Sequence, residues 1–230
     1  MQGISLSVVL PCYNEEANVE RVTQAALEVL PTLVDAFEII IVNDGSGDRT
    51  GEIADRLAAA HSAVHVVHNN PNRGYGGALR RGFSAATLEW VFYTDGDGQF
   101  DLKDIANLLP LIDHYDIVSG FRIRRTDSLM RRLNAWGWKM LTRWLLGLKV
   151  RDVDCAFKIY PRKLFDEIEL HSEGALIDAE VLAKATRHGY TIGEVGVNHF
   201  PRTAGKQTGA RPRVILRAFV ELIKLRRAMS

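Results

Sequence analysis

The sequence predicts an α/β protein with a mostly parallel central sheet and helices on both faces. Short apolar segments alternate with segments of helical periodicity between residues 5 and 119, and this alternation is typical of βαβ units. The apolar segments are continuous rather than alternating with polar residues, as expected of strands buried on both faces. A chain of 230 residues, 47% hydrophobic and 25% charged, can bury such a core without disulfides or structural metals.

Five strands and four helices are predicted before Gly120. The strands are the apolar segments Ser5–Leu10, Phe37–Val42, Val64–His68, Trp90–Thr94 and Asp116–Ser119. Helical periodicity predicts the helices Ala17–Leu30, Thr50–Ala60, Gly74–Ala86 and Lys103–Leu111. Pro31 ends the first of these helices because proline cannot continue an α-helical hydrogen-bond ladder.

The alternation becomes less regular after Gly120. Ser128–Leu148 is predicted to form one or two helices rich in tryptophan and arginine. The remaining predicted elements are a strand at Phe157–Tyr160, a helix at Ala175–His188, a strand at Tyr190–Val197 and a basic amphipathic helix at Arg213–Arg227. We therefore expect a main domain at 1–210, which includes an amphipathic insertion at 126–150, and a C-terminal basic amphipathic helix at 211–230.

The net charge of +1 hides two strongly basic stretches. Residues 122–151 contain nine lysines and arginines and one acid, and residues 202–227 contain eight and one. Such stretches on an otherwise acidic chain favour contact with anions such as phosphates or anionic lipids. The alternative is that they are solvated helix faces.

Cysteine content and hydropathy indicate the kind of cellular compartment expected for the chain. The two cysteines, Cys12 and Cys155, are too few for a disulfide framework and favour a reducing compartment. The N-terminus shows no secretory signal. No uncharged apolar run reaches the ~18 residues of a membrane-spanning helix, since Lys139 and Arg143 interrupt the longest candidate.

Polar clusters follow three of the predicted strands. The first strand leads into Pro11–Glu16, the second into Asn43–Ser46 and the fourth into Asp95–Gln99. Ligands of parallel α/β sheets bind beyond the carboxyl ends of the strands. One such cluster could be ordinary turn chemistry, but three at the same edge predict a binding crevice.

The cluster after the fourth strand is suited to a divalent cation. Asp95 and Asp97 are separated by one glycine, so both carboxylates can face one ion, and Gln99 adds a neutral oxygen. Oxygen ligands with room for water and phosphate suit Mg²⁺ or Mn²⁺. A calcium loop is a poorer match because Ala106 stands where such a loop needs glutamate.

A glycine-rich segment, Arg73–Gly77, precedes the third predicted helix. It does not complete a dinucleotide-binding fingerprint, because Leu79 replaces the third glycine and the segment follows the third strand rather than the first. A tight turn that packs the helix on the sheet is the better interpretation.

Four ordered motifs identify a family resemblance. LPCYNEEANV, IIIVNDGSGDRT, NRGYGGALRRGF and YTDGDGQF resemble family 2 glycosyltransferases of the GT-A (nucleotide-diphospho-sugar transferase) fold. Three later segments, IVSGFR, DVDCAFKIYPR and GYTIGEVGVNHFPRTAG, resemble the dolichyl-phosphate (polyprenyl-phosphate) mannose synthase branch. The resemblance covers residues 5–205 and implies the GT-A fold and hexosyl transfer.

The resemblance implies roles for the residues that match the family's motifs. Pro11, Tyr13 and Glu15 match the first motif, which contacts the nucleoside. Val42 and Asp44 match the second motif, in which the aspartate accepts hydrogen bonds from the base. These residues are therefore expected to bind the donor.

The resemblance also implies a metal and diphosphate site. The matched residues of the Asp-x-Asp element are Asp95, Gly96, Asp97 and Gln99. Arg122 matches an arginine that approaches phosphate, and Arg202 matches one that reaches the donor diphosphate from a mobile loop. We expect Asp97 and Arg202 to be catalytic, and Asp95, Asp97 and Gln99 to hold Mg²⁺ or Mn²⁺.

Two departures from the family pattern affect the donor site. The branch usually reads Arg-x-x-Gly-x-Ser-Lys where this chain has Arg202-Thr-Ala-Gly-Lys-Gln-Thr. Thr208 therefore replaces the terminal lysine, and Lys206, two residues earlier, is the remaining candidate for donor binding. Asn43 replaces the first aspartate of the second motif.

The resemblance predicts an inverting, metal-dependent transfer of a hexose to a polyprenyl or dolichyl phosphate at the membrane surface. The donor would be of the GDP-mannose or UDP-glucose type. An ionised lipid phosphate needs no general base, whereas a soluble or glycan hydroxyl would need one, for which Asp178 is the first candidate and Asp152 the second.

Two rival interpretations belong to different classes of protein. A sugar nucleotidyltransferase also uses a parallel sheet and Mg²⁺, but Pro11–Glu16 lacks the glycine-rich signature that such an enzyme has after its first strand. A non-enzymatic module that binds membranes peripherally would use the basic stretches, but it would leave the carboxylates at the edge of the sheet unexplained.

These expectations define partners and a location. The partners are a nucleotide-diphosphate sugar, a polyprenyl phosphate and the membrane surface, and no nucleic acid is expected because none of its usual binding signatures is present. The location is cytoplasmic and peripheral, at the inner face of the membrane. The sequence leaves open the donor sugar and the oligomeric state, homo-oligomers included.

Overall fold

A computed structural model describes residues 3–123, 137, 140–202, 204 and 220–227. A seven-stranded sheet of order β3-β2-β1-β4-β6-β5-β7 lies at its centre. Its strands are β1 (Ser5–Cys12), β2 (Ala36–Asn43), β3 (Val64–His68), β4 (Trp90–Thr94), β5 (Ile117–Arg122), β6 (Phe157–Pro161) and β7 (Ile192–Val197). The predicted α/β class and all seven predicted strands are confirmed.

The sheet is parallel except for one strand. β1, β2, β3 and β4 are parallel to one another, and β5 is parallel to β7. β6 runs antiparallel to both of its neighbours, β4 and β5. It therefore interrupts the parallel order at the fifth strand of the sheet and separates β1–β4 from β5 and β7.

In the part of the chain that the structure describes, six α-helices with defined bounds surround the sheet. They are α1 (Val19–Val29), α2 (Thr50–Ala60), α3 (Gly74–Ala85), α4 (Ile105–Leu108), α5 (Leu164–Glu167) and α6 (Ile177–Arg187). α5 lies outside the sequence predictions. Residues 140–146 and 220–227 are also helical.

The helix predicted over Lys103–Leu111 is confirmed, although it is not a single α-helix. The segment contains a 3-10 turn at Leu102–Asp104, the single α-helical turn of α4, and a second 3-10 turn at Leu109–Leu111. Pro110 stands in the first turn of the second 3-10 element, where it removes an amide donor that a longer α-helix would use.

Two hydrophobic layers cover the two faces of the sheet. On one face, Val9 and Tyr93 pack with residues of α3 and α6. On the other face, Val8 and Phe92 pack with residues of α1 and α2. Alternate residues of β1 and β4 enter opposite layers, as the two-residue period of a strand requires. Cys12 and Cys155 are buried and free.

The described parts of the two basic stretches include two short helices, at 140–146 and 220–227. Thr142, Leu222 and Leu225 are buried, whereas Trp144 is 81% exposed. Most of the predicted insertion at 126–150, the proposed boundary near 210 and the start of the C-terminal helix lie outside the described residues. Among the described residues, no helix has the length and apolar character needed to cross a bilayer.

Candidate active site

The loops that follow β1, β2 and β4 meet at one edge of the sheet. The Asp44 amide donates to the Cys12 carbonyl at 2.9 Å, which joins the ends of β2 and β1. Gly96 lies against β1 so closely that an added Cβ would come within 2.5 Å of Cys12 Sγ. The predicted convergence of the three polar clusters is confirmed, and Gly96 is the residue that permits it.

Asp95 is held from one side by Tyr75. The Tyr75 hydroxyl donates to Asp95 Oδ1 at 2.9 Å. Burial and the neighbouring charge of Asp97 raise the pKa of Asp95 to about 7, although the hydrogen bond from Tyr75 acts in the opposite direction. Sequence reasoning missed Tyr75, because it interpreted the glycines around it as a turn and gave the tyrosine itself no role.

Asp97 faces a cation supplied by the protein. Its Oδ1 accepts a hydrogen bond from the Gln99 amide at 3.1 Å, and its Oδ2 lies 3.7 Å from Arg202 Nη1. Burial raises the pKa of Asp97, and Arg202 acts against this rise. Two predicted catalytic residues, Asp97 and Arg202, are therefore side by side.

Arg202 is also anchored to the loop after β1. Its Nη2 forms an ion pair with Glu15 Oε1, and its Nε donates to the Ala204 carbonyl at 2.7 Å. Asn18 Nδ2 donates to Glu15 Oε2 at 2.7 Å. Glu15, which the resemblance assigned to the nucleoside, thus holds the arginine in this structure.

Residues 198–202 cross the edge of the sheet as a strap. Asn198 donates to the Asp104 carboxylate, and His199 forms an isolated bridge with Phe100. Gln99 is bonded twice to Phe200, through its backbone carbonyl at 2.7 Å and its side-chain nitrogen at 2.9 Å. The side-chain nitrogen of the predicted metal ligand Gln99 therefore fastens the strap, and only its amide oxygen is available to an ion.

The loop after β1 is fixed by the loop after β2. Asn14 has a positive φ of 56°, and its side-chain oxygen accepts from the Gly47 amide at 2.9 Å. The Glu15 amide donates to Thr50 Oγ1 at 2.8 Å. Pro11 is buried, whereas Tyr13 is 47% exposed. The ring of Tyr13 is thus the part of this motif that is open to a ligand.

The second motif is held more deeply. Asp44 is buried, and its Oδ1 accepts from Asn69 Nδ2 at 2.8 Å and from the Arg73 amide at 2.9 Å. Val42 is fully buried and packs close to Gly82 of α3. Val42 therefore supports the rim from below.

The candidate base Asp178 belongs to a buried ion pair. It is 5% exposed, and its Oδ1 accepts from Lys158 Nζ at 2.9 Å and from the Tyr93 hydroxyl. Lys158 is fully buried and also donates to the Val153 carbonyl at 3.0 Å and the Cys155 carbonyl. Sequence reasoning missed Lys158, although a lysine inside an apolar strand is a signal for a buried partner.

Two further candidates bind each other. Arg122 Nε and Nη2 donate to the two carboxylate oxygens of Asp152 at 2.7 and 2.8 Å. Burial alone would lower the pKa of Arg122, but the bonds to Asp152 raise it above its ordinary value. The predicted phosphate-binding arginine and the second candidate base therefore neutralise each other in this structure. Lys206 lies outside the described residues.

A cleft of about 260 Å³ lies beside the candidate site. It runs between α1 and residues 98–103, and Arg21 and Phe200 form part of its wall. Thr94 contributes a buried hydroxyl that has no hydrogen-bond partner among the described residues. The space next to Asp95 thus combines apolar walls with polar groups.

The donor set fits a cation that is completed by a ligand. Asp95 and Asp97 each have one oxygen bonded by the protein and a second oxygen outside that bond. No group of three or more acidic, histidine or cysteine side chains suited to a metal is found in the described part of the chain. Mg²⁺ is commonly bound by one or two carboxylates together with substrate phosphates, so these residues fit such an ion.

The fold class follows from this arrangement. A mostly parallel sheet, reversed at β6 and carrying an Asp-x-Asp element after β4, is a GT-A-type nucleotide-diphospho-sugar transferase fold. Glucosyl-3-phosphoglycerate synthase from Mycobacterium tuberculosis, solved with Mn²⁺ and UDP-glucose, superposes with a TM-score of 0.69. The match has 22% sequence identity and covers 96% of this chain and 79% of the synthase, and it shows the fold.

The chain belongs to glycosyl transferase family 2. The family model matches residues 7–169, and the predicted family is thereby confirmed. The resemblance to polyprenyl-phosphate sugar transferases is confirmed by the names of curated relatives.

Two relatives come from Haloferax volcanii. The glycosyltransferase AglD is 33% identical over 210 residues, which cover 87% of this chain and 34% of AglD. The dolichyl-phosphate hexose transferase is also 33% identical, over 86% of this chain and 83% of that protein. The human dolichyl-phosphate beta-glucosyltransferase is 31% identical over 84% of this chain and 66% of that protein. The chain thus spans about a third of the length of the first of these relatives.

Proposed function

We propose that the chain transfers a hexose, with inversion, from a nucleotide-diphosphate sugar to a polyprenyl phosphate. The observation that carries this proposal is the meeting of Asp95, Asp97 and Arg202 at the carboxyl ends of the strands. Acidic ligands for a cation and a guanidinium for phosphate oxygens are the groups that a departing nucleoside diphosphate requires. Relatives named dolichyl-phosphate hexose transferase and polyprenol monophosphomannose synthase support the acceptor class.

Each residue has a role in the proposed transfer. Asp95 and Asp97 hold Mg²⁺ or Mn²⁺, with the amide oxygen of Gln99 as a further ligand. When bound, such an ion offsets the charge that develops on the leaving diphosphate. When the donor binds, Arg202 leaves its ion pair with Glu15 and pairs with diphosphate oxygens. Its planar guanidinium can bind two of them at once.

The nucleoside end of the donor lies at the loops after β1 and β2. Tyr13 offers an exposed ring, and Asp44 offers carboxylate oxygen to the base. Pro11 and Val42 shape the floor beneath them. The basic side chains Arg122 and Lys206 are assigned to phosphates of the donor, and Arg122 must then share its guanidinium with Asp152.

The buried Lys158–Asp178 pair favours a phosphate acceptor. A general base must reach the acceptor hydroxyl, and Asp178 is 5% exposed with its Oδ1 already bonded to Lys158 and Tyr93. A lipid phosphate is already ionised at neutral pH, so its oxygen can attack the sugar carbon without a base. A hydroxyl acceptor with Asp178 as its base receives less support from this geometry.

The acceptor places the reaction at a membrane surface. Trp144 and Met140 are exposed on the first basic stretch, and Val220 and Ile223 are exposed on the second. Apolar side chains flanked by lysine and arginine are typical of helices that lie in the bilayer interface. Near anionic lipid, each basic residue contributes ~1 kcal/mol to binding. Peripheral binding through these stretches is therefore part of the proposal.

A donor screen tests the transfer. The full chain is incubated with membrane extract and radiolabelled GDP-mannose or UDP-glucose, with Mg²⁺, with Mn²⁺ or with a chelator. We expect label in the organic-solvent-soluble lipid with one donor, and loss of the signal with chelator and in Asp97→Ala. Label that moves instead into a water-soluble product would contradict the lipid acceptor.

Vesicle co-sedimentation tests the membrane surface separately. Binding should require anionic lipid, weaken with salt and fall when Arg143 is changed to Glu. Arg162→Glu is the matched control, because Arg162 is a partly exposed arginine outside the two basic stretches. Failure of the wild-type chain to sediment with anionic vesicles at low salt would exclude this mode of binding.

A further inference from the structure

The glycine-rich start of α3 has no role in the proposed transfer. Gly74 has a φ of +79°, and a Cβ on Gly74 would come within 2.5 Å of the Glu173 carbonyl oxygen. The Gly76 amide donates to the same carbonyl at 2.9 Å. The first turn of α3 is therefore pressed onto residues 172–174, which leaves no room for other side chains at these two positions.

This packing fixes the position of Tyr75. Tyr75 stands between the two glycines in the first turn of α3, and its hydroxyl reaches Asp95 Oδ1 at 2.9 Å. Asp95 is fixed independently, because the next residue, Gly96, rests on Cys12 at the end of β1. Two rigid pieces of backbone thus determine the hydrogen bond.

The hydrogen bond from Tyr75 makes the two carboxylate oxygens of Asp95 different from each other. Oδ1 is bonded to Tyr75, and among the described residues no other side chain donates to this carboxylate. The two oxygens of Asp97 also differ, since Oδ1 accepts from the Gln99 amide at 3.1 Å. Each aspartate therefore has one oxygen, Oδ2, that is outside these bonds, and that of Asp97 faces Arg202 Nη1 at 3.7 Å.

We propose that Tyr75 is a positioning residue that restricts Asp95 to one-oxygen coordination and so favours Mg²⁺ and Mn²⁺ over Ca²⁺. The inference rests on the proposed function, in which Asp95 is a cation ligand. Mg²⁺ requires near-ideal octahedral geometry, whereas Ca²⁺ takes six to eight oxygens and accepts both oxygens of one carboxylate. A hydroxyl that is hydrogen-bonded to Oδ1 opposes coordination of one cation by both oxygens of Asp95.

A purely structural role for Tyr75 makes a different prediction. In that case the hydroxyl only satisfies its own hydrogen bond in a partly buried place, and its loss would lower folding stability without changing the site. The ratio of cation affinities would then stay constant. The ratio is therefore the measurement that separates the two roles.

The test uses Tyr75→Phe in the full chain. Mn²⁺ binding is followed by the electron paramagnetic resonance signal of the free ion, with UDP and with GDP in separate series. Mg²⁺ and Ca²⁺ are then titrated as competitors. We expect the preference for Mg²⁺ over Ca²⁺ to fall by about tenfold in Tyr75→Phe, because the second oxygen of Asp95 becomes available.

A matched control is present elsewhere in the chain. The Tyr190 hydroxyl donates to Glu167 Oε2 at 2.7 Å, so Tyr190→Phe removes the same kind of bond away from Asp95. Tyr190→Phe should leave the cation ratio unchanged. If Tyr75→Phe loses its fold in a thermal melt, Tyr75→Leu, which also removes the hydroxyl, replaces it.

Two results would overturn the inference, and they are distinguishable. An unchanged ratio in a folded Tyr75 variant that binds Mn²⁺ refutes the role of Tyr75 and leaves the proposed function standing. A wild-type chain that binds no Mn²⁺ with either nucleotide refutes the cation site itself, and the proposed metal dependence with it.

Discussion

Asp95, directly after β4, and Asp178, in the first turn of α6, are acidic side chains with different partners. Each is an acidic side chain that accepts a hydrogen bond from a tyrosine, Tyr75 in one case and Tyr93 in the other. Asp178 also has a lysine, Lys158, at 2.9 Å. Within the described residues, Asp95 has no such ion pair.

Under the proposed function, the difference separates a structural acid, Asp178, from a functional pair, Asp95 and Asp97. Asp178 is buried together with Lys158, and this pairing offsets part of the cost of removing the two charges from water. Asp97 lies 3.7 Å from Arg202, and burial raises the pKa of both Asp95 and Asp97. A strongly perturbed acidic pair at the edge of a sheet is typical of a functional site.

The largest expected effect follows from breaking the functional pair. Asp97→Ala should lower the transfer rate by roughly a thousandfold, about 4 kcal/mol of transition-state stabilisation, because it removes a cation ligand. The melting temperature should stay close to that of the wild type, since Asp97 lies at the rim of the sheet. Label transfer and a thermal melt of the same preparation check both parts. Retained metal-dependent turnover within a few-fold of wild type would falsify the assignment.

Breaking the structural pair, Lys158 and Asp178, should lower the stability of the fold. Lys158→Met should lower the free energy of unfolding by about 3 kcal/mol, because it leaves Asp178 buried without a cation. Urea denaturation followed by circular dichroism measures this loss. The double variant Lys158→Met, Asp178→Leu should recover part of it, since no unpaired charge remains. A double variant that is as unstable as the sum of its single changes would show that the two residues act independently.

The sequence was sufficient to locate the proposed functional pair. Asp95 and Asp97 follow a strand that is evident from its composition, and the rule for ligands of parallel sheets places them at the rim. Three elements of the first half, Thr50–Ala60, Val64–His68 and Trp90–Thr94, have the predicted bounds. Local composition decides such elements.

The structural pair could not be predicted in the same way. Lys158 and Asp178 lie on different elements, and only the reversed direction of β6 next to β4 brings Lys158 opposite Tyr93. No local pattern encodes that pairing. The role of Tyr75 was hidden for the same reason, since its hydroxyl reaches Asp95 through the packing of α3 on the loop at 172–174.

Arg202→Ala should change the affinity for Mn²⁺ in opposite directions without and with nucleotide. Without nucleotide, Arg202→Ala should strengthen Mn²⁺ binding several-fold, because a cation near Asp97 repels the ion by ~1 kcal/mol. With UDP or GDP present, the same change should weaken binding, because the diphosphate loses a partner. Arg202→Lys should restore the second effect only in part, since an ammonium cannot bind two oxygens in the same plane. Calorimetric titration of Mn²⁺ with and without nucleotide measures both changes in affinity. A change in the same direction in the two titrations would contradict the proposal that Arg202 leaves Glu15 to bind the diphosphate.

The smallest expected effect concerns a third kind of acid, one that neutral donors stabilise. Glu38 Oε1 accepts from Ser7 Oγ at 2.6 Å and from the Thr87 amide at 2.7 Å. Burial alone would raise the pKa of Glu38, but these bonds lower it below its ordinary value of 4.5. Its stabilising contribution should therefore be complete above about pH 4.5 and decline as the pH falls through the lower, folded-state value.

Glu38→Gln isolates that contribution. The variant should be less stable than wild type by ~1 kcal/mol at neutral pH, and the difference should shrink as the pH is lowered through the acidic range. Urea denaturation at each pH provides the measurement. Glu89→Gln, which changes an exposed glutamate, is the control and should show no such trend. A difference between Glu38→Gln and wild type that does not vary with pH would mean that the pKa of Glu38 is the same in the folded and the unfolded chain, so that the bonds from Ser7 and Thr87 do not favour the ionised form. Glu38 would then resemble neither the lysine-paired Asp178 nor the cation-binding pair at the rim.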